Sequence, residues 1–308
     1  MRTDNISRFG ATDAWMLLAV LIWALNFSFI KIALREISPN GFNGPRLALA
    51  ALLLLVVLWR KEGKISLDGA DLRKVIILGL IGNTAYQLLF INGFSLTTAS
   101  TTSLIMTMTP IFIALMSAVF IRERIHWVGW LGIAISFFGL YLIIFSQSGF
   151  LSLAGQSLKG NLMILLGNLF WAAYTVFSKP LLEKISPLKL TSLTLGIGAL
   201  CYLPFAAKEI IEQPWHSVSS KGWGSFFYSS ILAIAVSYVI WYSSVRRVGN
   251  TKTGIFNNIT PALTVFFAYL FLHERVSVQE VAGAVVILFG FYLTRSGDRW
   301  FERKRRLI

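Results

Sequence analysis

The chain is poor in charge and in the residues that carry most catalysis. Of its 308 residues only 14% are charged, with 14 acidic side chains against 28 basic ones, three histidines and one cysteine. A water-soluble domain carries about a quarter charged residues, so an ordinary soluble globule is excluded. One cysteine, Cys201, excludes an intramolecular disulfide, and its place inside an apolar run argues against redox chemistry. No Asp or Glu falls in the middle of an apolar run, the nearest sitting at the ends, and His126, His216 and His273 all lie between runs. An intramembrane proton relay, a catalytic acid–base pair and a metal cluster therefore lack their usual residues. There is no Gly-rich phosphate loop to suggest ATP use, and no cofactor is expected.

What the chain has in abundance is apolar sequence, with 56% hydrophobic residues. Segments of about 20 apolar residues read as membrane-spanning helices. Ten emerge, at residues 14–34, 43–59, 75–95, 98–121, 127–146, 159–180, 189–207, 223–245, 251–272 and 277–294. The first is too long for a signal-peptide core of about 7–15 residues and is expected to be retained. Ten spans put both termini on one side, and that side collects 19 Lys and Arg residues against five on the other. Such a bias marks the cytoplasmic side. The net charge of +14 is thereby explained by loops, so no nucleic-acid partner is expected. Expected partners are the lipid bilayer, with RKRR at 303–306 as a site for anionic head groups, and a small-molecule substrate. The sequence leaves monomer or homodimer open.

The chain also repeats itself. Trp23–Pro39 (WALNFSFIKIALREISP) returns 148 residues later as Trp171–Pro187 (WAAYTVFSKPLLEKISP), with eight of 17 positions identical. Residues 109–141 return at 260–292, with Thr-Pro, Glu-Arg and two glycines kept in register. Residues 1–150 and 151–308 are thus two related halves of five spans each. Five is odd, so the second half enters the membrane from the opposite side, and inverted repeats are a transporter architecture. The expected fold is an all-α polytopic membrane protein of ten transmembrane helices in two inverted five-helix repeats.

TPIFIALMSAVFIRERIHWVGWLGIAISFFGLYL and TPALTVFFAYLFLHERVSVQEVAGAVVILFGFYL resemble the two EamA domains of bacterial drug/metabolite transporters. The resemblance covers nearly the whole chain. It implies two inverted halves and export of amino acids or other small metabolites across the bacterial inner membrane, without fixing the substrate.

Seven tryptophans lie near span ends, as interfacial belts require, but Trp23, Trp171 and Trp241 lie inside spans. Helical spacing places Trp23, Asn26, Phe27 and Lys31 on one face of span one, and Trp171, Tyr174 and Lys179 on one face of span six. Asn83, Tyr86 and Gln87 in span three, Tyr238, Trp241 and Tyr242 in span eight, and Asn257 and Asn258 in span nine complete the candidate substrate surface. Amides facing hydrocarbon are costly, so these either line a wet cavity or bond between helices. Pro110 and Pro261 read either as packing kinks or as hinges. Glu123, Arg124, Glu274 and Arg275 read as solvated end caps or as gates. Lys31 and Lys179 read as interfacial anchors or as contacts to a substrate carboxylate. Gly132, Gly139, Gly283 and Gly290 at heptad spacing point to close helix approach.

The expected function is transport by alternating access around an aromatic, amide-rich cavity that favours neutral or zwitterionic metabolites such as amino acids, aromatic ones in particular. Phosphorylated solutes would require several intramembrane cations, and Lys31, Lys179, Arg46 and Lys252 are the most available. The alternatives are carriage of other solutes such as drugs or nucleotide-type metabolites, and a non-transporting scaffold or receptor. A membrane-embedded enzyme finds no acid, base or nucleophile set.

Overall fold

The computed structural model describes residues 11–63, 66–120, 127–146, 156–257 and 259–305. In chain order the helices are α1 (Ala11–Ala33), α2 (Pro39–Glu62), α3 (Gly69–Gly79), α4 (Tyr86–Ser95), α5 (Ala99–Ile105), α6 (Thr109–Phe120) and α7 (Trp127–Ser146). The second half supplies α8 (Gln156–Leu182), α9 (Pro187–Glu212), α10 (Ser220–Phe227), α11 (Ser237–Asn257), α12 (Thr260–Leu272) and α13 (Val278–Arg305). A π-helical segment, Leu80–Ala85, joins α3 to α4, and another, Tyr228–Val236, joins α10 to α11. A 3-10 turn, Met106–Met108, joins α5 to α6.

The sequence predicts ten full-length crossings. Among the described residues seven helical segments are long and apolar enough, and Trp127–Ile143, Thr260–Leu272 and Val278–Leu293 are shorter apolar helices. Among the boundaries that differ from expectation, two bear on the site. α2 begins at Pro39 rather than 43, because Ser38 is extended and Pro39 sits where a missing N–H costs nothing. α11 continues through 246–250, which the sequence reads as a connection. Gly249 and Asn250 are weak breakers, at about 1 kcal/mol or less each, and do not end it.

The packing repeats as the sequence does. α4 lies on α8 as α11 lies on α1, and α6 lies on α8 as α12 lies on α1. α2 and α9 pack antiparallel, each beginning where the other ends. Near the start of α2, Asn40 and Gly41 donate their backbone N–H groups to Glu209 at 2.7 and 3.1 Å. At the start of α9, Ser186 donates its hydroxyl to Glu62. α7 and α13 approach closely through the repeated glycines. A Cβ on Gly139 would stand 2.6 Å from the Gly283 carbonyl, and one on Gly290 would strike Gly132 and Ser136. The glycine stripe thus serves contact within the chain.

Burial is one-sided. Leu52, Leu200, Phe205 and Val285 are 60–70% exposed, a surface suited to lipid rather than water. Trp15, Trp59, Trp127 and Trp130 are exposed too, whereas Trp171 and Trp241 are buried. In a membrane the interior gains little from hydrophobic burial alone, so small residues and polar ties must hold it.

Those ties gather at two end surfaces. One unites the ends of α1, α4, α9 and α12 with the starts of α2, α5 and α10. Here carboxylates cap helix N-termini, where free N–H groups and the helix dipole favour them. Glu36 accepts from the Ser219 N–H and hydroxyl, both at 2.7 Å. Glu274 accepts from the backbone N–H groups of Ala99 and Ser100 at 3.0 and 2.9 Å. His273, in the left-handed region at φ 56°, ends α12 and turns the chain so that Glu274 reaches α5. At the opposite end surface Lys184 pairs with Asp71 at 2.9 Å, and Lys189 donates to the Ser66 carbonyl.

Candidate functional site

A cavity lies between the two halves, with residues of both in its wall. Its wall includes Trp23, Asn26, Phe27, Arg46, Tyr86, Gln87, Phe90, Ser103, Met106, Trp171, Ala233, Ile234, Tyr238, Thr260 and Pro261.

Local helical irregularities build it. A π-helical segment carries an extra residue and releases a carbonyl from the ordinary ladder. In the segment Tyr228–Val236 the Ala233 carbonyl accepts the Trp23 indole N–H at 2.9 Å. The equivalent segment, Leu80–Ala85, holds Asn83. The 3-10 turn before Thr109 breaks the fourth span, and Thr109 donates to the Met106 carbonyl at 2.7 Å. Asn168 fastens the same break from α8. Pro110 and Pro261 each stand second in a helix, α6 and α12, where the absent N–H leaves no bond unmade. They start helices rather than interrupt them.

Aromatic rings line the cavity and back its walls. Toward the end of α1, Phe27, Phe90 and Phe94 meet with centroids 5.6–6.3 Å apart. Lys31 stands beyond them, donating to the Phe94 carbonyl at 2.7 Å with its ammonium 4.9 Å from the Phe94 ring. Lys31 is therefore a tie between α1 and α4. Toward the other end, Trp171 touches Tyr86 and Tyr238 at 5.2 Å, Tyr174 at 5.7 Å and Tyr242 at 6.4 Å. Trp23 meets Trp241 at 5.4 Å. Gln87 and Tyr238, equivalent positions of the repeat, hydrogen-bond at 3.1 Å where the halves meet.

Of the residues singled out from the sequence, Trp23, Asn26, Phe27, Tyr86, Gln87, Trp171, Tyr238 and Pro261 face this cavity. Tyr174, Trp241 and Tyr242 are fully buried behind it. Asn83 is buried against Gly198 of α9, where a Cβ would strike it. Lys179 and Arg275 are exposed. Glu123, Arg124 and Asn258 fall outside the described residues, as does the side chain of Asn257.

Arg46, which the sequence offers only as one of four cations within or beside spans, lies in the cavity wall. With span two begun at 43, it sits at a span edge; with the helix begun at Pro39 it lies seven residues in, about 10 Å deep. It is 2% exposed. Its guanidinium donates to Ser229 Oγ at 2.8 Å, to Gln87 Oε1 at 3.1 Å and to Asn43 Oδ1. A lone arginine in an apolar helix that starts at Ser-Pro is the signal that could have found it.

A multi-pass helical bundle with an aromatic cavity between repeated halves is an architecture suited to a membrane transporter, and the comparisons with known proteins agree. The EamA-like transporter family matches residues 10–145 and 158–296, so the chain belongs to that family. It is similar to an uncharacterized transporter of Archaeoglobus fulgidus, 27% identical over 92% of this chain and 96% of that one. It is also similar to a probable amino-acid metabolite efflux pump of Escherichia coli, 26% identical over 92% of this chain and 94% of that protein. A crystal structure sharing 15% identity superposes with a TM-score of 0.67, covering 96% of this chain and all of that one, which speaks to the fold alone.

Proposed function

We propose that this transporter exports small neutral or zwitterionic metabolites, amino acids before others, across the bacterial inner membrane. Ten spans in two inverted halves, 1–150 and 151–308, carry the movement, with both termini cytoplasmic. The observation that carries the reading is the cavity itself. Trp23, Trp171, Tyr86 and Tyr238 wall it with aromatic surface, and Asn26 and Gln87 add amides. Aromatic faces suit an apolar body and an ammonium group, and the amides suit the polar end of a zwitterion. The Escherichia coli relative named as an amino-acid metabolite efflux pump supports the same substrate class.

The mechanism is alternating access. Each end surface has its own polar ties, so one can release while the other holds. The antiparallel pairing of α2 with α9 supports the inverted relation of the halves. Phe27, Phe90 and Phe94 close one mouth, and Trp171, Tyr174 and Tyr242 the other. Pro110 and Pro261 act as hinges at the helix breaks, and Glu274 as a latch at one mouth.

Counterflow in proteoliposomes loaded with a panel of labelled L-amino acids, with and without a pH gradient, tests the reading. Saturable exchange of at least one amino acid, insensitive to the gradient, is expected. No flux for any panel member overturns amino-acid export.

A further inference from the structure

The cavity holds a cation without a counter-ion. Arg46 is all but fully buried and lines the cavity wall. Among the described residues the ion pairs are Lys74–Asp71, Lys184–Asp71 and Lys208–Glu212, and none involves Arg46. Its partners, Ser229, Asn43 and Gln87, are neutral. A guanidinium has five N–H donors. Three bonds are made, and Nε is buried with no acceptor. A buried charge held only by neutral groups is costly unless something of opposite sign joins it.

The repeat sharpens the point. Arg46 and Thr194 each stand seven residues after the proline that begins their helix, α2 or α9. Thr194 meets the Tyr174 hydroxyl at 2.7 Å and leaves no charge behind. The scaffold therefore folds around a neutral residue at this position, and the arginine is an addition on one side only.

We propose that Arg46 is the anion-binding residue of the cavity and that its ligand is a single carboxylate. The inference rests on the transport reading and narrows it to solutes carrying one carboxylate on an apolar or aromatic body. The planar fork of a guanidinium matches a carboxylate. A phosphate dianion would bring a second negative charge among neutral aromatic walls, with no second cation on them among the described residues. Asn26, whose Oδ1 is also buried without a partner, supplies an acceptor on the same wall for an ammonium group.

The test uses the full-length protein with L-phenylalanine, L-phenylalaninamide and 3-phenylpropionate as probes. Two readouts are taken, ligand-induced shift of the melting temperature in detergent and counterflow of labelled L-phenylalanine in proteoliposomes. The wild type should be stabilised by both carboxylates and bind them at least about tenfold more tightly than the amide. Arg46→Gln should lose that preference, and Arg46→Lys, which keeps the charge without the fork, should retain part of it. Equal preference for carboxylate over amide in wild type and Arg46→Gln would overturn the proposal, as would a wild type indifferent to all three probes. If Arg46→Gln fails to fold, Arg46→Lys decides by the same preference. Carboxylate-selective stabilisation without counterflow would uphold the site and overturn amino-acid export instead.

Discussion

The two halves place different side chains at equivalent positions around the cavity. Tyr174 in the second half answers to Asn26 in the first, Thr194 to Arg46, and Ala233 to Gly82. Tyr174 is fully buried, hydrogen-bonds Thr194, and occupies the room that Gly82 leaves by having no side chain. On the opposite side the smaller Asn26 faces the cavity together with Ala233, and Arg46 reaches into the same wall. The space filled by a tyrosine in one half is open, polar and cationic in the other. A backbone of two-fold character carries side chains that make the cavity one-sided.

The largest effect that can break this comparison comes from exchanging the small residues. Gly82→Ala would drive a methyl group into the Tyr174 ring and to 2.8 Å from its Cβ. Overpacking of this kind costs about 1–3 kcal/mol, read as a fall in melting temperature in detergent. The mirror change, Ala233→Gly, faces open space and should cost about 0.5–1 kcal/mol through backbone entropy. Equal losses from the two would mean that the halves are packed alike.

A smaller effect separates the end surfaces. Bonds from the Ser219 backbone N–H and hydroxyl hold the Glu36 carboxyl below its usual 4.5. Its stabilisation is complete above 4.5 and is lost as pH falls through the folded value. The bond to Asp71 holds Lys184 above its usual 10.5 and the Asp71 carboxyl below its usual 3.8, so that tie is complete between 3.8 and 10.5 and is lost on either side of that window. Glu36 and Lys184 are exposed, so both effects are small. Raising the pH past 10.5 should release the start of α9 while Ser220–Phe227 stays in place, read as amide protection at each. Trp223 on α10, packed against Trp215 at 5.7 Å, gives a fluorescence reading that should not change. Alkaline release of both surfaces alike would remove the distinction.

Much of this was legible in the sequence because it is periodic or repeated. Long apolar runs and the 148-residue return of Trp, Lys and Ser-Pro define a helical membrane protein in two halves. Helical spacing placed Trp23, Asn26 and Phe27 on one face, and all three reach the cavity. The same spacing did not separate wall from backing: Tyr174 lies on the predicted face of α8 but is sealed behind Trp171. The π-helical segments leave no mark in composition, since they come from how the helix ladder is bonded. Arg46 was misplaced by a four-residue error in one helix start. Glu274 was legible as a charge at a span end, but its bonds to Ala99 and Ser100 depend on tertiary contact across 174 residues or more.

The central claim is a single cavity that opens to each side of the membrane in turn. The chain's one cysteine makes this directly measurable. Cys201→Ala clears the background, and Ser103→Cys, close in size to the original, places a thiol on the cavity wall. A membrane-impermeant thiol reagent is applied to sealed vesicles of either orientation, with and without L-phenylalanine. Alternating access predicts labelling from both sides, slowed by the amino acid on both. Labelling from one side only, at a rate that no amino acid changes, would contradict it.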